Sequence, residues 1–301
     1  MDRFEAMRVF CAVIEAGGFA AAAERLGVST TAVSRHVSQL EAHLNVRLIN
    51  RTTRRMSPTD EGFAYFERCT QLLADLEETE TSVSGLARRP RGRLRLTAPI
   101  ALATLRLAPA FAEFSRRYPD ITLDLVLSDS VSDFAEEGLD MAIRVGRVGS
   151  DNLVARRIGE TTVLAAASPG YLARAGAPAE PNDLTHHACL TYSHAATGNQ
   201  ADFVGSDGAT VSVRFGGPIH SNNGMLLTEI AVADAGVVFA PCFILQPYLE
   251  RGLLSRVLPD WHLRTLAIQV VYPTRRHLSA KVQAMAGFLT EWFAGKAQEI
   301  E

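Results

Sequence analysis

The chain has 301 residues, about two domains' worth, with 47% apolar and 21% charged residues, a balance that excludes a disordered chain. Its apolar runs are too short for a membrane-spanning helix. The net charge of −3 divides into +3 for residues 1–59 (eight arginines, five acids) and −6 for residues 60–301 (22 bases, 28 acids), which predicts a nucleic-acid-binding end joined to a domain with another task.

Three helices and a basic hairpin are predicted for the first 59 residues. Apolar residues recur at helical spacing over residues 2–16, and an alanine-rich helix follows over residues 19–26. Gly27 ends that helix, and Ser29 is a suitable N-cap for a third helix that extends to about Leu44. Residues 46–56 alternate loosely between apolar and polar and then carry arginines, which predicts a two-stranded hairpin with a basic tip.

A long helix is predicted from Thr59 to about Leu86. Mostly apolar residues recur along it in steps of four and three, at Gly62, Phe66, Cys69, Leu73, Leu76, Glu80 and Val83. This heptad seam predicts a dimeric coiled coil, although Glu80 interrupts it. The alternative is a single amphipathic helix lying on the chain's own core. A charged segment with Pro and Gly, residues 88–92, then forms a linker.

Beyond the linker, strands alternate with helices, the pattern of an α/β domain with a parallel sheet. Strands are predicted at residues 93–98, 121–127, 141–145, 161–167, 211–215, 237–240 and 267–272. Helices are predicted at residues 101–117, 133–138, 225–235 and 280–293.

The most specific motif is Ala23-x3-Gly27-x-Ser29-x3-Val33. The small residue lets a second helix cross the first, the glycine supports a left-handed turn, and the valine fills the space between the helices. This arrangement is typical of a helix-turn-helix, which places the N-terminal half of its second helix in the major groove of DNA.

The residues predicted to contact DNA lie on the outward face of that second helix and on the hairpin. They are Thr30, Thr31, Ser34, Arg35 and Ser38 on the helix and Arg51, Arg54 and Arg55 on the hairpin. Arg35 is suited to bond guanine through two hydrogen bonds, with a phosphate contact as the alternative. For Ser34 the alternative is a solvated position. The hairpin arginines suit phosphate or the minor groove, and one of the three is expected to brace the fold instead.

With these motifs the sequence resembles the LysR-type transcriptional regulators. The matching residues include Ala22-Ala23-x2-Leu26-Gly27-Val28-Ser29, Leu40-Glu41, Thr59-x-x-Gly62, Gly138-x-Asp140-x-Ala142-Ile143-Arg144 and Ser168-Pro169-x-Tyr171-Leu172. The resemblance implies a winged helix-turn-helix over residues 1–59 and a dimerising linker helix with a hinge over residues 60–90. It further implies a two-lobed effector-binding domain over residues 91–301, like type 2 periplasmic binding proteins, and a tetramer. Lobe I is expected at residues 91–160 and 267–301, and lobe II at residues 161–266.

A small effector is expected outside the carboxyl ends of the strands of this domain. The candidate residues there are Pro99, Ile100, Ala101, Ser128, Arg144, Ser168, Asn222 and Pro241. Pro99 stands where many family members carry Ser or Thr, so the amides of Ile100 and Ala101 are expected to hold a carboxylate of the effector. Arg144 suits an acidic effector, or alternatively an ion pair with an acid such as Asp140. Asn222 is equally suited to a turn.

Catalytic signatures are absent: the sequence has no phosphate-binding loop, no Gly-x-Ser-x-Gly elbow and no His-Glu-x-x-His. The four cysteines form no CxxC pair and the histidines lack ligand-like partners, so we predict no metal and no cofactor. The start of the chain does not resemble a signal peptide, which predicts a cytoplasmic protein.

The overall prediction is a non-enzymatic, homo-oligomeric transcription regulator that binds double-stranded DNA and a small effector. Two alternatives stay open. One is a constitutive repressor whose C-terminal domain only oligomerises. The other is an α/β enzyme with a DNA-binding appendage, since a fold does not determine a function.

Overall fold

The structure is a computed structural model that describes residues 2–51, 56–83, 89–130, 138–146, 153–195, 198–273 and 278–295. The chain divides into two compact units, residues 1–89 and residues 90–301. Within the described ranges, no helix combines the length and the apolarity that a membrane crossing requires. The helix predicted at residues 133–138 falls outside these ranges except for its last residue.

Four helices and a short antiparallel hairpin form the N-terminal unit. They are α1 (Arg3–Glu15), α2 (Phe19–Leu26), α3 (Thr30–Leu44), β1 (Ile49–Arg51), β2 (Met56–Pro58) and α4 (Asp60–Val83). Gly27 ends α2 in the left-handed conformation, with φ at 67°. The Ser29 hydroxyl caps α3 by accepting the amide hydrogen of Ala32 at 3.2 Å. The predicted turn and the predicted start of the third helix are therefore confirmed.

The long helix α4 packs on the core of its own unit. Cys69 is fully buried there, and Phe66 and Leu73 pack half-buried against the same core. A Cβ atom on Gly62 would overlap the carbonyl oxygen of Leu48, so the helix approaches the backbone before β1 where only glycine fits. The first four positions of the predicted heptad seam thus face the chain's own core, and the alternative of an amphipathic helix is correct for this half.

Two sheets form the C-terminal unit. The main sheet has the order β10-β7-β11-β6-β14-β5-β3-β4, with β12 beside β6, and the small sheet has the order β13-β8-β9. The strands are β3 (Gly92–Ala98), β4 (Ile121–Leu127), β5 (Met141–Val145), β6 (Leu153–Ala167), β7 (Cys189–Tyr192), β8 (Gln200–Gly205), β9 (Thr210–Arg214), β10 (His220–Ser221), β11 (Val237–Pro241), β12 (Ser255–Val257), β13 (Trp261–His262) and β14 (Thr265–Pro273).

The α/β architecture is as predicted, but the main sheet is mixed and not parallel throughout. Strand β3 is parallel to β4 and β5, whereas β14 is antiparallel to β5 and β6. Strand β6 has 15 residues and is longer than predicted: residues 153–162 pair with β14, and residues 163–167 pair with β11 and β12. One continuous strand therefore joins the two halves of the sheet.

Helices pack against both sheets. They are α5 (Ile100–Leu102), a π-helical segment (Ala103–Leu107), α6 (Ala108–Arg117), α7 (Pro169–Ala175), a 3₁₀ helix (Pro181–His186), α8 (Gly224–Val232), α9 (Cys242–Glu250) and α10 (Ala280–Gly295). The helix predicted for residues 101–117 is thus interrupted by one wide turn. Helices α7 and α9 were not predicted as elements.

A buried ion pair joins the C-terminal helix to the first strand of this unit. The Lys281 ammonium donates to the Asp140 carboxylate at 2.8 Å and to the Arg93 carbonyl oxygen at 2.7 Å. The same carboxylate accepts the amide hydrogen of Arg95 at 2.9 Å. Both charged side chains are nearly inaccessible to water. Lys281 therefore gives the Asp140 carboxylate a buried counterion. The two residues lie far apart in the sequence, and their pairing was not predicted from it.

Candidate DNA-binding helix and ligand cavity

Helix α3 exposes the polar face that the sequence predicts. Thr30, Thr31, Arg35 and Ser38 are exposed and Ser34 is half-buried. On its other face, Val33, Val37 and Leu40 are completely buried in the N-terminal core. The contacts of the five polar residues with DNA stay a prediction.

Hydrogen bonds connect α3 to the hairpin, and the hairpin to the start of α4. The Glu41 carboxylate, at the end of α3, accepts the amide hydrogens of Leu48 at 2.9 Å and Ile49 at 3.1 Å. The amide of Thr59 donates to the Leu48 carbonyl oxygen at 3.0 Å, and the Thr59 hydroxyl accepts the amide hydrogen of Gly62 at 2.9 Å. The motif residues Leu40-Glu41 and Thr59-x-x-Gly62 thus fix how the hairpin and α4 are placed around α3.

The basic hairpin is only partly described. Arg51 is the last residue of β1, where it lies opposite Met56. The side chain of Arg51 and the whole of Arg54 and Arg55 lie outside the described residues. The predicted contacts of these three arginines with DNA therefore stay as stated.

A cavity of about 760 Å³ lies in the C-terminal unit, a volume in the range of small-molecule sites. Five of the predicted effector-binding residues line it: Pro99, Ala101, Ser128, Arg144 and Pro241. These residues follow or end different strands of the main sheet, or lie at the start of a helix that follows one. The expectation that strand ends converge on one site thus matches the geometry for these five residues, whereas their binding of an effector stays a prediction.

Three of the predicted residues do not line the cavity. Ser168 is buried at the start of α7, where its hydroxyl accepts the amide hydrogen of Tyr171 at 3.1 Å and donates to the Asp234 carboxylate. Its hydroxyl is therefore used to cap α7, and its predicted contact with an effector stays a prediction that this geometry does not support. Asn222 is an exposed turn residue between β10 and α8. Ile100 is half-buried beside the lining residues.

Asp129, which the sequence analysis missed, lies where the effector's carboxylate was expected. The Ile100 amide donates to Asp129 Oδ1 at 3.1 Å, and Asn223 Nδ2 is 3.4 Å from Asp129 Oδ2. Burial raises the pKa of the Asp129 carboxyl above its usual value, and the Ile100 amide, His194 and Arg144 offset only part of that rise. The Ile100 amide thus already donates to a carboxylate of the chain itself, and its predicted contact with an effector stays a prediction that this geometry does not support. The position of Asp129 directly after β4 was the available signal.

Aromatic side chains form one part of the remaining wall of the cavity. The rings of Phe215 and Phe239 stack with centroids 4.4 Å apart and an interplanar angle of 14°. Burial, and then the charge of Asp129, raise the pKa of the Tyr192 hydroxyl to about 12, so that Tyr192 is a neutral hydrogen-bond donor in the cavity. No group of three or more His, Cys, Asp or Glu in the described ranges is placed to hold a metal ion.

Comparison with known proteins assigns both units to one family. Residues 4–63 match the model described as "Bacterial regulatory helix-turn-helix protein, lysR family". Residues 87–294 match the model described as "LysR substrate binding domain".

Similar proteins support the same assignment over nearly the whole chain. A Haemophilus influenzae HTH-type transcriptional regulator is 39% identical over 95% of this chain and 99% of its own length. A Pseudomonas aeruginosa HTH-type transcriptional repressor is 36% identical over 98% and 93%, and the Escherichia coli transcriptional activator AaeR is 31% identical over 97% and 94%.

Solved structures extend the similarity to the fold. The Vibrio cholerae virulence activator AphB has a TM-score of 0.60 at 27% identity, with 95% of this chain and 98% of AphB covered. Neisseria meningitidis CrgA has a TM-score of 0.59 at 30% identity, with 96% and 98% covered. The chain therefore belongs to the LysR family of DNA-binding transcriptional regulators, with an N-terminal helix-turn-helix domain and a C-terminal effector-binding domain.

Proposed function

We propose that this regulator reads an operator with α3, contacts the DNA backbone with its hairpin arginines, and responds to a small molecule in the 760 Å³ cavity. The observation that carries the proposal is the polar outer face of α3, held at both ends by caps and by the Glu41 hydrogen bonds. Arg35 reads a guanine, and Ser34 and the two threonines contact base edges or phosphates. Because its partner is the bacterial chromosome, its place of action is the cytoplasm.

The protein acts as a dimer through α4, and two dimers associate into a tetramer. Support comes from Leu72, which lies on α4 beside the self-packed Leu73 and is 51% exposed. A large apolar side chain left open on a helix is suited to bury itself against a second copy. Dimerisation sets the spacing of two half-sites on the DNA.

The effector acts through a difference in its affinity for two conformational states of the protein. An effector alters DNA binding only if it binds one arrangement of the oligomer more tightly than another. The cavity is lined by residues on both sides of the point where β6 exchanges its partner β14 for β11, so its shape depends on how the two halves of the sheet are arranged.

The Arg35→Ala variant tests the DNA-reading assignment. With an operator selected from a random DNA pool, it is expected to lose about 1–3 kcal/mol of operator binding and to accept other bases at one position. Arg8→Ala removes the same charge from an exposed position on α1 and serves as the control. Equal losses for operator and random DNA would show that Arg35 contacts only phosphate.

The cavity is tested with Thr265→Trp, which adds an indole from an exposed lining position. This variant is expected to lose the thermal shift produced by compounds that stabilise the wild type in a metabolite screen. Its effector-free operator affinity should stay within about threefold of wild type. Thr210→Trp, exposed on β9 outside the lining, is the matched control. An unchanged response in Thr265→Trp would place the effector elsewhere.

A further inference from the structure

The Asp129 carboxylate is held between three segments of the cavity. It follows β4, accepts the amide hydrogen of Ile100 at the start of α5, and meets the side-chain amide of Asn223, the N-cap of α8, at 3.4 Å. A carboxylate offers about four acceptor positions. The described residues fill two of them, one at the long distance of 3.4 Å. Within the described residues, these two contacts therefore set the orientation of the carboxylate at the wall of the cavity.

A second carboxylate is poorly accommodated at this corner of the cavity. Pro99 supplies neither an amide hydrogen nor a hydroxyl, and the Ile100 amide is already bonded. An incoming anion would also meet the like charge of Asp129, which is already half-buried. The positive charge of Arg144, which acts on Asp129, compensates part of that charge.

An ammonium group is attracted to Asp129, where a carboxylate would be repelled. It donates charge-assisted hydrogen bonds to a carboxylate and offsets the loss of hydration at a half-buried acid. Phe215, Phe239 and Tyr192 line the same cavity. Aromatic faces attract cations and also pack against apolar groups.

We propose that Asp129 is the specificity-determining residue of the cavity and that the effector is an amine. Its protonated amino group donates to Asp129, and its apolar or aromatic body packs against Phe215 and Phe239. This inference rests on the proposed function of the cavity as the effector site.

The test compares probes of one shape that differ only in the polar group. The first series is 3-phenylpropylamine, 3-phenylpropanoate and 3-phenylpropanol, and the second is tryptamine, indole-3-propanoate and tryptophol. Calorimetry on the full chain measures the affinity of each probe for the wild type, Asp129→Asn, Asp260→Asn and the cavity-filling variant Thr265→Trp. The asparagine at 129 keeps an oxygen for the Ile100 amide, and Asp260 is an exposed acid outside the lining.

We expect the amine to bind the wild type at least about tenfold more tightly than the acid in the series that fits the cavity. Asp129→Asn should weaken the amine about tenfold and leave the alcohol within about twofold, while Asp260→Asn changes neither. A preference for the acid, or an amine preference that survives in Asp129→Asn, overturns this inference and leaves the proposed function intact. Binding that persists in Thr265→Trp, or no binding by any of the six probes, overturns the proposed cavity function together with it.

Discussion

Two adjacent leucines on α4 allow packing within the chain and association between chains to be tested separately. Leu73 is half-buried against the core of its own unit, whereas Leu72 is 51% exposed. Substitution of each by glutamate adds the same charge one residue apart. We expect Leu73→Glu to destabilise the N-terminal unit and Leu72→Glu to weaken the dimer.

The sizes follow from the exposed fractions. Burying a leucine side chain contributes about 1.5–3 kcal/mol, so half-buried Leu73 contributes about 1 kcal/mol, and a partly buried carboxylate without a partner adds about 1–3 kcal/mol. Leu73→Glu should therefore lower the local stability by about 2–4 kcal/mol. Leu72→Glu should change it by less than about 0.5 kcal/mol. In a dimer, two copies of Leu72 that each lose about 1 kcal/mol of burial raise the dissociation constant about 30-fold.

Hydrogen exchange of the α1 amides measures the local stability, and sedimentation equilibrium of the full chain measures the dissociation constant. The reasoning is refuted if Leu73→Glu leaves exchange in α1 unchanged and dissociates the dimer. That result would mean that the heptad seam faces a partner chain and not the chain's own core.

Three further outcomes are expected. Gly62→Ala sets a methyl group against the Leu48 backbone and should destabilise the N-terminal unit by about 1–3 kcal/mol. Unchanged hydrogen exchange of the α1 amides would contradict this prediction. Lys281→Met leaves the buried Asp140 carboxylate without its counterion and should lower the free energy of unfolding in denaturant by about 3–5 kcal/mol. Adding Asp140→Leu should restore part of that stability. An equal loss in the double variant would argue against the ion pair. Ser168→Ala should cost about 1 kcal/mol through the lost cap of α7 and leave the effector response unchanged, so an altered response would return Ser168 to the cavity.

Local signals were sufficient where neighbours in the sequence determine the structure. The cap at Ser29 and the turn at Gly27 gave the start of α3, and the bounds of β4 and β5 match the predicted residues 121–127 and 141–145. In each case the hydrogen bonds or the apolar pattern lie within one short segment. The family assignment followed from such segments and is shown by the matches to both units.

The sequence pattern did not predict contacts between residues that are far apart in the chain. The heptad spacing showed that one face of α4 is buried, but the spacing is the same whether the partner is another chain or the core around Cys69. Likewise, Ser168 follows a strand as expected for a ligand site, yet Asp234 and the α7 backbone use its hydroxyl. The first half of β6 was missed because it exposes Arg156 and Arg157 and lacks the apolar alternation of a half-buried strand.

The unbroken course of β6 limits how the effector-binding domain can move. A flexible loop between the two halves of the sheet would permit wide rotation, but here β6 exchanges β14 for β11 between the consecutive residues Thr162 and Val163, and its pairing with β14 shifts register once, between Ile268 and Gln269. Relative motion must then appear as a change of twist in a paired ribbon, with its axis close to Val163, where the partner changes and the cavity wall begins. An effector bound in the cavity, as proposed above, would therefore act by changing the twist of this ribbon and with it the angle between the two halves.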